Sequence, residues 1–148
     1  MSKGAGIVPI RFHENHTHIL LLKGTSGKWG FPKGQKEKNE DLKQTAIRET
    51  LEETGIHVSR DKLKTSFTVG DYKFWFVNFD DLKDVKIQQS EISEYKWMEL
   101  EDFVKLDVKM KNYPAKIFGF MIEREKWPIY HYIRDNERRK QNILEPSP

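Results

Sequence analysis

Apolar residues along this chain fall into short runs with two different spacings, and the spacings predict alternating strands and helices. Residues 6–12 (GIVPIRF) read as a strand, with Pro9 arguing for a sheet edge or a bulge. Residues 13–16 (HENH) form a turn, and 17–22 (THILLL) make a buried strand, so 7–10 and 19–22 pair as a hairpin. Residues 24–27 are a flexible loop. Residues 41–54 contain no Gly or Pro and are rich in Leu, Ala, Glu, Lys, Gln and Arg, which predicts a helix. Asn39 is its expected N-cap and Gly55 its stop. Residues 57–64 are a short strand or loop.

Beyond them, 66–69 and 72–79 (YKFWFVNF) flank Gly70-Asp71, a hairpin signal. In the second of these runs Phe74, Phe76 and Asn78 alternate with Lys73, Trp75, Val77 and Phe79. Both faces are apolar, so this strand is expected inside the sheet. Residues 92–98 read as a further strand and 100–106 as a helix. Residues 114–143 read as helix, with Ile117, Phe120, Met121 and Arg124 on the packed face and Pro128 splitting it into two pieces. The mixture predicts an α/β protein.

The 148 residues fit one domain, 1–148, large enough for a real core, with a basic helical extension at about 115–143. The chain has no cysteine, which excludes disulfides and thiolate metal sites and suits a reducing compartment. No apolar run reaches a membrane span of about 18 residues, and 1–12 has no signal-peptide core, so no membrane partner is expected. The expected location is the cytoplasm, with the nucleus as the alternative. Net charge is +3 although 34–56 alone holds six acidic residues, so the remaining surface is more basic than the total suggests. That favours polyanionic partners such as nucleotides or RNA.

Within the predicted helix, Glu49, Glu52 and Glu53 share a face, since residues three and four apart are neighbours there. Three carboxylates on one face repel each other. They are either a solvated charged surface or a site for a hard cation such as Mg²⁺ or Mn²⁺. Arg48 lies four residues before Glu52 and is placed to orient it. His13, His16 and His18 sit in and beside a loop with poor ligand geometry and read as surface histidines.

The spacing G-x5-E-x7-R-E-u-x-E-E-x-G-u, filled by Gly34, Glu40, Arg48, Glu49, Thr50, Glu52, Glu53, Gly55 and Ile56, resembles the Nudix box. Thr50 stands where a bulkier apolar residue is usual. The preceding W-G-F-P-K-G, from Trp29 to Gly34, is similar to the wording of mRNA-decapping Nudix enzymes and, with small changes, of diadenosine tetraphosphate hydrolases. The run Glu91-Ile92-x4-Trp97 is a further likeness.

The resemblance implies an α/β/α sandwich with a mixed sheet between helices, and a metal-dependent hydrolysis of a phosphoric anhydride linked to a nucleoside diphosphate. It implies Mg²⁺ (or Mn²⁺) held by Glu49, Glu52, Glu53 and the Gly34 carbonyl, with Arg48 orienting the carboxylates. Glu49, Glu53 and Glu91 are the candidate general bases. Lys33 is the expected phosphate contact, and Trp29 and Phe31 are candidates for stacking on a base. The leading expected substrate is the 5′ cap of RNA, with 129–143, where arginines and lysines alternate with Tyr130 and Tyr132, as a possible RNA contact. The sequence shows no separate N-terminal regulatory domain of the kind decapping subunits carry, so the domain is expected to act alone or with another partner. The alternatives are a dinucleoside polyphosphate or diphosphoinositol polyphosphate hydrolase. A non-catalytic Nudix-fold nucleotide-binding module is disfavoured because all the box carboxylates are present.

Overall fold

The computed structural model describes residues 3–80, 84–88 and 90–124. Its strands are β1 (Gly4–His13), β2 (His16–Gly24), β3 (Trp29–Gly30), β4 (Lys33–Gln35), β5 (Ser66–Val69), β6 (Tyr72–Asn78) and β7 (Ile92–Glu99). Its helices are α1 (Leu42–Thr54), α2 (Leu100–Lys105) and α3 (Tyr113–Glu123). One sheet runs in the order β3-β2-β1-β6-β5, with β4 added to β1 and β7 to β2. The β1–β6 pair is parallel and the other pairs are antiparallel, so the sheet is mixed.

Period-2 alternation decides what lies on each face. Val8, Ile10, Ile19, Leu21, Phe74 and Phe76 point towards Phe103 of α2 and Phe118 of α3. Ile7, Leu20, Leu22, Trp75, Val77 and Phe79 point the other way, to the layer containing Ala46 of α1. Both faces are buried, giving the expected sandwich of a sheet between helices. The β1–β2 turn is tight because Glu14 (φ 50°) and Asn15 (φ 65°) both take the left-handed region, as a two-residue hairpin turn matching the strand twist requires.

Several expectations need correcting. Pro9 does not mark an edge, since β1 lies between β2 and β6. On one side of β1, residues 4–6 pair with β4 and residues 10–13 pair with β2. Ile7 donates towards Pro32 on that side, so by alternation the nitrogen of Pro9 faces the gap between the two partners, where a missing N–H costs no ladder bond. Asn39 is not the helix cap: it is left-handed at φ 72°. The cap is Asp41, which accepts from the Gln44 N–H at 2.8 Å while its own N–H donates to the Gln44 side chain at 2.6 Å, a reciprocal capping box. In α3 the buried positions are Pro114, Ala115, Phe118, Gly119 and Ile122, with Ile117 and Met121 flanking, and Phe120 is exposed. The predicted stretch beyond residue 124, with Pro128 and the basic run, lies outside the described residues. Among the described residues no helix is long and apolar enough to cross a membrane.

Candidate active site

The site is built where α1, β4 and the segment before β7 meet. Arg48 organises it. Its guanidinium donates to both oxygens of Glu40 (2.8 and 3.1 Å), to Glu49 (2.8 Å), to Glu52 (3.3 Å) and to the Gln35 carbonyl (3.0 Å). Glu40 also accepts from the Thr45 hydroxyl and the Glu37 N–H, each at 2.8 Å. One arginine therefore ties the loop 35–40 to the helix. Charge-assisted bonds of this kind are the strong ones. The Arg48 guanidinium holds the Glu40 carboxyl down at about 2, and Glu40 in turn raises the Arg48 pKa. Sequence spacing offered only Glu52 as a partner for Arg48. The stronger partner, Glu40, is eight residues away and reaches it only because the loop folds back.

Glu49 and Glu53 lie on the inner side of α1, and Glu53 is buried. Burial, and after it the hydrogen bond and negative charge of Glu49, push the Glu53 carboxyl well above the ordinary carboxylate range, against the Lys33 N–H that it accepts. Two carboxyls so placed share a proton or a cation. Gly34 of β4 lies against this pair. A Cβ there would land on the Glu49 carboxyl, so only glycine lets the backbone approach it. A close backbone approach beside paired carboxylates is a donor set of oxygens, which suits a hard divalent cation. Glu52 is half-exposed and turned to Arg48. Among the described residues no three acidic or histidine side chains already converge on one point.

Glu91 reaches the site through the chain between β6 and β7. Lys86 N–H donates to the Thr54 carbonyl (2.7 Å) and Gln88 N–H to the Glu53 carbonyl (3.3 Å), strapping this segment to the end of α1. A turn follows, with Glu91 and Ile92 both donating to the Gln88 carbonyl (3.2 and 2.9 Å). Glu91 consequently lines one cleft of about 460 Å³ together with Glu53, Lys33, Lys28, Phe31 and Asn112. The sequence could not place Glu91 beside Glu53; the strap does. Lys28 and Asn112 were not foreseen, because neither belongs to the box and each arrives on a separate turn.

Both candidate stacking residues are largely buried, Trp29 7% and Phe31 3% exposed. Phe31 packs against Phe118 (5.1 Å between centroids), Phe74 and Phe103 (both 6.1 Å) and also lines the cleft, whereas Trp29 packs in the core on the same face of the sheet. Thr50, at the box position that usually carries a bulkier apolar residue, is fully buried and its hydroxyl has no hydrogen-bond partner among the described residues. A separate hollow lined by His16, Glu99, Glu101 and Glu123 contains none of the box residues.

A family model described as the NUDIX domain matches residues 2–118. The chain is 34% identical over 96 residues to mRNA-decapping enzyme subunit 2 of Arabidopsis thaliana, covering 60% of this chain and 26% of that protein. It is 33% identical over 116 residues to the asymmetrical bis(5′-nucleosyl)-tetraphosphatase of Caenorhabditis elegans, covering 70% of this chain and 83% of that protein. The solved binary complex of a C. elegans Ap4A hydrolase superposes with a TM-score of 0.58 at 28% identity, covering 83% of this chain and 99% of that one. The chain spans only about a quarter of the length of the Arabidopsis decapping subunit.

Proposed function

The chain belongs to the Nudix hydrolase family, and from that premise we propose that it cleaves a phosphoric anhydride in a nucleoside-diphosphate-linked substrate, the 5′ cap of RNA in the leading reading. The observation that carries the chemistry is the single cleft that collects Glu53, Glu91, Lys28 and Lys33. Glu49, Glu52, Glu53 and the Gly34 carbonyl would hold Mg²⁺ or Mn²⁺, and the part-buried Glu49 against Gly34, paired with the buried Glu53, fits such an ion. When bound, the ion would neutralise polyphosphate charge and lower the pKa of a water.

The chain's own residues do the rest. Lys33 and Lys28 draw the anionic phosphates to the cleft mouth. Arg48 keeps Glu49 and Glu52 in place through the Glu40 clamp. Water attacks phosphorus, its oxygen bonds there, and the P–O bond of the anhydride breaks, leaving a nucleoside diphosphate and a phosphorylated remainder. The proton of the water goes to a carboxylate. Glu91, whose side chain has no hydrogen bond or ion pair among the described residues, is the base we assign, with Glu53 and Glu49 already committed to each other.

A second reading, a dinucleoside polyphosphate hydrolase, is favoured by a specific observation: the likeness spans nearly the whole of the C. elegans Ap4A hydrolase chain. The test is Mg²⁺-dependent hydrolysis of a capped RNA of about 30 nucleotides beside diadenosine tetraphosphate, over a salt series. Preference for the RNA, falling steeply with salt, supports decapping and makes the basic run 134–140 the next target. Preference for the dinucleotide supports the second reading, and turnover of neither sinks the hydrolase assignment.

A further inference from the structure

The side-chain amide of Asn112 lines the cleft and is used by neither the box nor the reaction scheme. Resting on the hydrolase reading, we propose that Asn112 is a substrate-binding residue whose amide N–H groups hold a phosphate oxygen of the polyphosphate chain beside Lys28 and Lys33.

Three observations place and orient this amide. A 3₁₀ turn at Val108–Met110 is followed by Lys111, which bridges to Trp29, and the Asn112 N–H donates to the Trp29 carbonyl at 2.9 Å. These contacts fix the backbone at the cleft wall. The Asn112 Oδ1 then accepts from the Ala115 N–H at 3.1 Å and caps α3, so the acceptor end of the amide is used. The donor end, Nδ2, makes no hydrogen bond among the described residues. It lies against Gly30, where a Cβ would collide with it. The glycine of W-G-F-P-K-G, whose purpose the motif does not reveal, keeps open the space this amide fills.

The chemistry follows from what remains free. With its oxygen engaged by the cap, the unengaged Nδ2 of Asn112 offers two N–H donors, and their natural complement is an oxygen. Lys28 and Lys33 line the same cleft as Asn112 and supply its positive charge. A neutral donor grips a phosphate oxygen there without adding a charge close to Glu53 and Glu91. A donor fixed in advance by a cap and a glycine also loses little freedom on binding.

The test separates capping from binding. Asn112→Asp keeps the capping oxygen and replaces the donor with an anionic oxygen, and Asn112→Ser keeps a shorter cap and withdraws the donor. Both variants should melt within about 2 °C of the parent, since each remains a good N-cap. Binding of inorganic tripolyphosphate in EDTA, measured by calorimetry, should weaken about tenfold or more in Asn112→Asp and less in Asn112→Ser. KM for diadenosine tetraphosphate should rise in the same order while kcat changes less. Parent-like tripolyphosphate binding in both variants overturns the proposal. So does a loss that tracks a lowered melting temperature, or a parent protein that does not bind tripolyphosphate. A parent that binds it, loses it with Asn112→Asp and turns over no nucleotide leaves the Asn112 site standing and removes the hydrolase reading instead.

Discussion

On the face of the sheet covered by α2 and α3, Phe31, Phe67, Phe74, Phe76, Phe103 and Phe118 interlock with ring centroids 5–6 Å apart. On the opposite face α1 buries Thr45, Ala46, Thr50, Glu53 and Thr54, a mostly polar set, and is held to the loop before it by the Arg48–Glu40 clamp. The pair α2 and α3 is fixed by apolar area, which is non-directional. The helix α1 adds directional, charge-assisted bonds to a narrower apolar contact through Ala46, Leu42 and Ile47. A helix that must present carboxylates cannot also devote that face to a broad apolar seam, so orientation replaces bulk where the chemistry sits.

The comparison can be broken at its apolar end first. Phe118→Ala should cost about 3–5 kcal/mol of stability in urea unfolding, since four other aromatic rings touch it and the site cannot collapse fully. Hydrolysis per folded molecule should fall by less than about tenfold, because the carboxylates stand on the other side. A larger loss of turnover would mean that the two faces are not independent.

The polar end should give a smaller, pH-dependent effect. Glu40→Gln removes a charged acceptor from Arg48 and should cost about 1–3 kcal/mol at neutral pH. The Glu40 carboxyl is held down, from an ordinary 4.5 to about 2, so its contribution is full above about 4.5 and is lost as the pH falls towards about 2. The melting-temperature gap between parent and Glu40→Gln should close over that window. A gap that persists unchanged at pH 2 would remove the clamp from the account. The smallest effect is a gain: Thr50→Val replaces a buried hydroxyl that has no partner among the described residues and should stabilise by about 1 kcal/mol.

Sequence reasoning reached whatever repeats locally. Alternation exposed both buried faces of β6, and the turn residues exposed both hairpins. Spacing along one helix put Glu49 and Glu53 on one face, and the glycine signal ended α1 at Gly55. It missed contacts that depend on how loops close: Glu40 on Arg48, Glu91 brought to Glu53 by the Gln88 turn, and Asn112 seated on Gly30. It also misjudged Pro9, because an internal strand that changes partners tolerates a proline where an unbroken one would not. It could not tell that Trp29 and Phe31 are largely buried, because composition records an aromatic ring and not which neighbours surround it.

The measurement closest to the central claim compares Glu53→Gln with the parent in Mg²⁺-dependent turnover and in metal-free thermal melting. A carboxyl whose pKa is raised by burial and by Glu49 costs the fold stability above the ordinary carboxylate range, where the unfolded chain releases the proton that the folded one keeps. Gln at that position removes the penalty, so the metal-free variant should melt at or above the parent temperature at pH 7. Turnover should fall about 10²- to 10⁴-fold or more. A variant that keeps parent turnover with metal still required, or one that loses turnover only by unfolding, would contradict the assignment of this carboxyl pair as the centre of the site.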